Sequence, residues 1–120
     1  MSVGAPEWVY LEKYGEMIRV AFGAIPYHVG SSLTQKVGWR DVDVRIIMND
    51  VEWEHCEFGE PDNPSKKCVA FNVAFSELGR KMTGLPIDFQ IQQQTYANKN
   101  FPPSEHPRSA IGILWGREKT

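Results

Sequence analysis

From Asp41 to Ile46 polar and apolar residues alternate, so that Val42, Val44 and Ile46 share one side of an extended chain and Asp41, Asp43 and Arg45, with Ile47 beyond them, the other. This pattern predicts a strand over Val42 to Met48, packed on its apolar side and open on its acidic side. Asp41 and Asp43 then project from the same side, roughly 6.5–7 Å apart along the strand. Such a pair can grip divalent metal ions. A second strand is expected over Ile87 to Gln92, and it carries another acid, Asp88. Upstream of the acidic pair, Gly30-Ser31 reads as a turn whose backbone N–H groups can hold a phosphate beside those metals.

The remaining elements follow from periodicity. Trp8, Leu11, Tyr14, Met17, Ile18, Ala21 and Phe22 recur at helical spacing, which predicts a helix over Glu7 to Phe22, with Pro6 at its first turn and Gly23 and Pro26 ending it. Pro26 to Val29 reads as a short strand. Ser32-Leu33-Thr34-Gln35 matches a capping box, so a short helix capped by Ser32 and closed by Gly38 is expected after the turn. Glu52 to Lys67, acidic and broken by Gly59, Pro61 and Pro64, reads as a long loop of functional or mobile character. Phe71, Ala74, Phe75, Leu78 and Met82 define a second helix over Lys67 to Met82, with Gly84 at its C-terminal cap. Beyond the Ile87 to Gln92 strand the polar runs Gln92-Gln93-Gln94 and Asn98-Lys99-Asn100 lead into a Pro-containing tail, Phe101 to Pro107, and Ser109 to Trp115 reads as a final short helix or strand. Alternating elements of this kind predict an α/β (α+β) fold, a small mixed sheet packed by helices.

With 120 residues, 42% hydrophobic and 23% charged, the chain fits one domain with a modest core. The net charge of −2 argues against a broad basic surface for nucleic acid. No apolar run approaches the length that spans a bilayer, so no membrane partner is expected. The first residues lack a basic-then-apolar signal sequence, and cytoplasm is the expected location. Cys56 and Cys68 read as reduced thiols, and the scattered histidines argue against zinc.

Gly30-Ser31, a nine-residue spacer, Asp41-Val42-Asp43 and the later Ile87-Asp88-Phe89 together resemble the signature of the nucleotidyltransferase superfamily that shares the DNA polymerase β-type palm. The element order around the motifs is similar to that family's minimal core. The resemblance covers about residues 7 to 95, leaving 96–120 as a C-terminal extension of a single domain. It implies that Asp41, Asp43 and Asp88 are catalytic and hold Mg²⁺ or Mn²⁺, hard cations suited to oxygen ligands. Gly30, Ser31, Ser32 and Arg45 would bind a nucleoside triphosphate, whose nucleoside monophosphate moves to a hydroxyl acceptor. The acceptor is open: a protein, an RNA end or a small molecule.

Family members usually carry a further module that grips base and acceptor. Only a short stretch follows Asp88 here, so that module is expected to be missing or supplied by a helper subunit or second copy. The 52–67 stretch is a candidate lid, though its acids would repel a triphosphate unless metal intervenes. Individual residues keep two readings. Arg45 contacts phosphate or pairs with a neighbouring carboxylate; Ser32 caps a helix or binds ligand; Trp39 covers a base or fills the core. Lys36 and Arg40 steer triphosphate or are solvated charges, His28 is structural, and Gln90 and Gln92 can read a substrate edge. For the whole chain the alternatives are a non-catalytic binding or regulatory member of the fold, and a metal-dependent phosphohydrolase.

Overall fold

The computed structural model describes residues 3, 4, 6–35 and 38–113. Its elements in chain order are α1 (Glu7–Phe22), β1 (Pro26–Val29), α2 (Ser31–Thr34), β2 (Val42–Met48), α3 (Asp50–His55), β3 (Gly59–Glu60), β4 (Asn63–Pro64), α4 (Lys66–Thr83), β5 (Ile87–Gln93), α5 (Gln94–Asn100) and β6 (Ser109–Ala110). The main sheet has the order β5-β2-β1-β6, while β3 and β4 form a separate hairpin. β1 runs antiparallel to β2 and to β6, whereas β2 and β5 are parallel. The fold is thus α+β, a mixed four-stranded sheet packed by helices. Among the described residues, no helix is long and apolar enough to cross a membrane.

The alternation on β2 and β5 builds the core. Val42, Val44 and Ile46 with Ile87, Phe89 and Ile91 are buried beneath Leu11, Tyr14 and Ile18 of α1. Tyr14 spans the gap between helices and donates its hydroxyl to the Phe75 carbonyl at 2.8 Å. Gly79 lets α4 approach closely, because a Cβ there would meet both Ile87 and the Tyr14 ring at 2.9 Å. α1 ends as its sequence predicts, at Gly23 in the left-handed region (φ 66°).

The face of α4 departs from expectation. Phe71 and Ala74 are exposed, and the buried positions are Cys68, Ser76, Gly79 and Thr83, with Phe75, Leu78 and Met82 partly covered. The reason lies at the free edge of β5, whose unpaired N–H groups need acceptors. Ser76 Oγ accepts from the Phe89 N–H at 2.8 Å, and Asn72 Oδ1 accepts from the Ile91 N–H at 3.0 Å. α4 turns its small and polar side chains to that edge, which closes it against further strand pairing. Ser76→Ala is expected to cost about 1–3 kcal/mol by orphaning the Phe89 N–H, read as a lower urea midpoint at unchanged slope.

The 52–67 stretch is not an irregular loop. α3 starts from Asn49, whose side chain accepts from the Glu52 N–H at 2.8 Å. Trp53 is buried and donates its indole N–H to the Gly59 carbonyl at 2.8 Å. Phe58 packs edge-on against Trp53 and against Phe71. Two aromatic anchors therefore tie the segment to the body, and its acids project outward. The polar stretch that leads into the Pro-containing tail forms a further helix, α5, docked where Thr95 donates backbone N–H and hydroxyl to the Asp50 carboxylate. The final segment adds the short edge strand β6, and residues from 114 on lie outside the described set.

Candidate metal and nucleotide site

The open face of the sheet is read in rows across the strands. Val29, Asp43 and Asp88 form one row, Tyr27, Arg45 and Gln90 the next, and Ile47 pairs with Gln92 beyond them. Parallel register sets Asp43 directly beside Asp88, and Asp41 joins them from just before β2. Ligand oxygens of Asp41, Asp43 and Asp88 lie within 4.8 Å of one another. All three predicted acids converge.

Burial raises the Asp43 pKa above the usual carboxylate value; Arg45 opposes this, while Asp88, Asp41 and a hydrogen bond shared with the Asp88 side chain add to it. Arg45 takes the pairing role. Its guanidinium lies 3.6 Å from both Asp43 Oδ1 and Asp88 Oδ2, and donates to the carbonyls of Asp88 (2.7 Å) and Val44 (3.1 Å). One fixed cation thus orients two of the acids.

Gly30 adjoins the same row, at φ 80° and ψ −167°, a conformation that side chains resist. A Cβ at Gly30 would collide with Asp43 Oδ2, so only glycine lets the turn lie against the acid. Ser31 opens α2 directly after it. α2 is a single turn of four residues capped by Gly30, ending at Thr34 with no side-chain cap. The capping box is therefore not formed, and Gly38 does not close the helix. Ser32 is buried instead, its Oγ 2.7 Å from His28 Nε2. That hydrogen bond braces β1 against α2 across the Gly30 turn, and it explains why Ser32 is not offered to a ligand.

His28 is fully buried, and its Nδ1 has no hydrogen-bond partner among the described residues. Burial lowers its pKa from 6.5 to about 4. Between these values the unfolded chain takes up a proton that the folded chain refuses, so stability falls as pH falls through this window. About 3 kcal/mol is expected to be lost between pH 7 and pH 4 through this residue. Denaturation midpoints at both pH values, compared with His28→Asn, isolate that share from the carboxylates.

Of the remaining candidates, Trp39 is half-buried and packs against the core, Arg40 is exposed, and Lys36 lies outside the described residues. Two cavities flank the acids. One, about 410 Å³, is lined by Gly30, Asp43, Arg45, Gln90, Gln92 and residues of the 101–108 segment. The other, about 540 Å³, takes in Asp88, Asn72, Ser76, Arg80 and Tyr96. Gln90, Gln92 and Phe101 border both. Phe101, His106 and Arg108 carry no local pattern that marks them as site residues; they reach the site only because the chain returns from α5 to β6. No protein-family model matches the chain, and no curated protein or solved structure is significantly similar to it.

Proposed function

We propose that this chain is a divalent-metal-dependent nucleotidyltransferase of the polymerase β-type superfamily, moving a nucleoside monophosphate from a nucleoside triphosphate to a hydroxyl acceptor. The observation that carries the reading is the convergence of Asp41, Asp43 and Asp88 oxygens beside a glycine turn that cannot bear a side chain. The donor set fits the implied ion: hard carboxylate oxygens suit Mg²⁺ or Mn²⁺, and three acids against one guanidinium leave negative charge for a divalent cation to neutralise. Asp41, Asp43 and Asp88 would be its ligands. When bound, such ions offset phosphate charge and lower the pKa of an attacking hydroxyl.

The protein's own groups do the positioning. Arg45 holds Asp43 and Asp88 in a fixed relation, so little reorganisation is needed on loading. The bare Gly30-Ser31 backbone lets phosphate oxygens approach close to Asp43. In the overall reaction the bond from acceptor oxygen to α-phosphorus forms, the bond to pyrophosphate breaks, and the hydroxyl proton passes to solvent. Two cavities meeting at the acids suit a reaction with two substrates.

Arg45 also favours a second reading, a non-catalytic member of the fold, because it satisfies two of the acids without any metal. Incubation with triphosphates labelled at the α or the γ position, over protein, RNA and small-molecule acceptors, separates the possibilities. Transfer of the α-label with release of pyrophosphate is expected. Release of inorganic phosphate without acceptor would indicate a phosphohydrolase, and no turnover with any acceptor would favour the binding role.

A further inference from the structure

We propose that the 410 Å³ cavity beside Gly30 and Asp43 is a pocket for the base of an adenine nucleotide, roofed by the chain's own segment from Phe101 to Arg108. This rests on the nucleotidyltransferase reading and extends it to the part of the substrate that the acids do not touch.

Topology supplies the roof. α5 follows β5 at one edge of the sheet, and β6 pairs with β1 at the other, so the connection between them must traverse β2 and β1. It does so over the open face, since Phe101, His106 and Arg108 line one cavity with Val29, Arg45 and Gln90. The crossing is held in shape. Arg108 donates to Asn98 Oδ1 at 3.0 Å and to the Phe101 carbonyl at 3.2 Å, and the Glu105 and His106 N–H groups both bond to the Pro102 carbonyl. Phe101 and His106 meet edge to face with centroids 5.6 Å apart, and Phe101 remains 40% exposed.

Below this roof lie Gln90 and Gln92, on the same strand face as Asp88. The combination of a partly exposed aromatic ring, packed edge-on between Tyr96 and His106, with side-chain amides and an adjoining carboxylate cluster suits a flat heterocycle attached to a phosphate chain. A glutamine amide presents one donor and one acceptor side by side, which matches an adenine edge. Guanine's paired acceptors call for a guanidinium. Here Arg45 is engaged by the acids and Arg108 by Asn98 and the Phe101 carbonyl. On this proposal the base-gripping part, expected from the sequence to be missing or supplied by a partner, is supplied by this chain itself.

Calorimetric titration of the full chain with Mg²⁺ and either ATP, GTP or inorganic tripolyphosphate tests the pocket. ATP is expected to bind at least about tenfold more tightly than tripolyphosphate, and more tightly than GTP. Phe101→Ala and Gln92→Ala should each remove at least about fivefold of that advantage while leaving tripolyphosphate affinity unchanged. Should Phe101→Ala fail to fold, Gln92→Ala on the open face carries the same comparison. Equal affinity for ATP and tripolyphosphate, equal weakening of both by the variants, or GTP binding as tightly as ATP would overturn the proposal. Tripolyphosphate binding without any gain from the base would remove the pocket but leave the transferase reading standing; no binding of either ligand would remove both.

Discussion

Asparagine in place of Asp43 is expected to lower metal-dependent nucleotide transfer by about a hundredfold or more while leaving the melting temperature unchanged or slightly higher. The two halves of this result have one cause. Asp43 is held in a partly buried row beside Asp88 and near Asp41, where burial and like charge oppose its ionised form. Asparagine keeps the shape and removes the repulsion, and Arg45 retains Asp88 as its partner. A residue kept for stability would behave in the opposite way, since its loss would lower the melting temperature. Thermal melts of both proteins, beside an α-label transfer assay, separate the two roles. A lower melting temperature with unchanged transfer would make Asp43 a structural acid.

Trp53→Ala is expected to destabilise the protein by about 3–5 kcal/mol, a large share of the total for a domain of this size. Trp53 is 1% exposed, belongs to the main core, and its indole fixes the hairpin through the Gly59 carbonyl. Truncation opens a cavity, removes the Phe58 contact and leaves that carbonyl without its donor. A fall in melting temperature on the order of 10–20 °C follows, and Trp53→Phe should recover part of it by restoring packing without the hydrogen bond. If 52–67 were a mobile lid, the change would stay within about half a kcal/mol.

What could be read from the residues alone divides along physical lines. α1, β2 and β5 were legible because each is long enough for one face to repeat: Leu11, Tyr14 and Ile18 at helical spacing, Val42, Val44 and Ile46 at strand spacing. The same alternation put Asp43 and Asp88 on the open face, so the candidate acids could be named before their register was known. α3 escaped because six residues give too little repeat, and its one buried side chain, Trp53, stands among exposed acids. The buried face of α4 differs from the one its hydrophobicity predicts for another reason. Phe71 looks like core by hydrophobicity, but Ser76 and Asn72 are claimed by the edge of β5, a demand visible only once β5 is known to be an edge. Ser32 has the residue type of a cap, yet the capping position falls to Gly30 and buried His28 takes the hydroxyl. Phe101, His106 and Arg108 join the site through chain return, which no spacing rule encodes.

In the proposed function Asp41, Asp43 and Asp88 bind nucleotide through a divalent cation. The most direct test is calorimetric titration of the purified chain with the four nucleoside triphosphates, with Mg²⁺ and with EDTA, beside the Asp41→Asn/Asp43→Asn double variant. Metal-dependent binding that EDTA abolishes and the folded variant lacks is the expected result. Metal-independent binding, binding retained by the variant, or no binding from a well-folded wild type would contradict it.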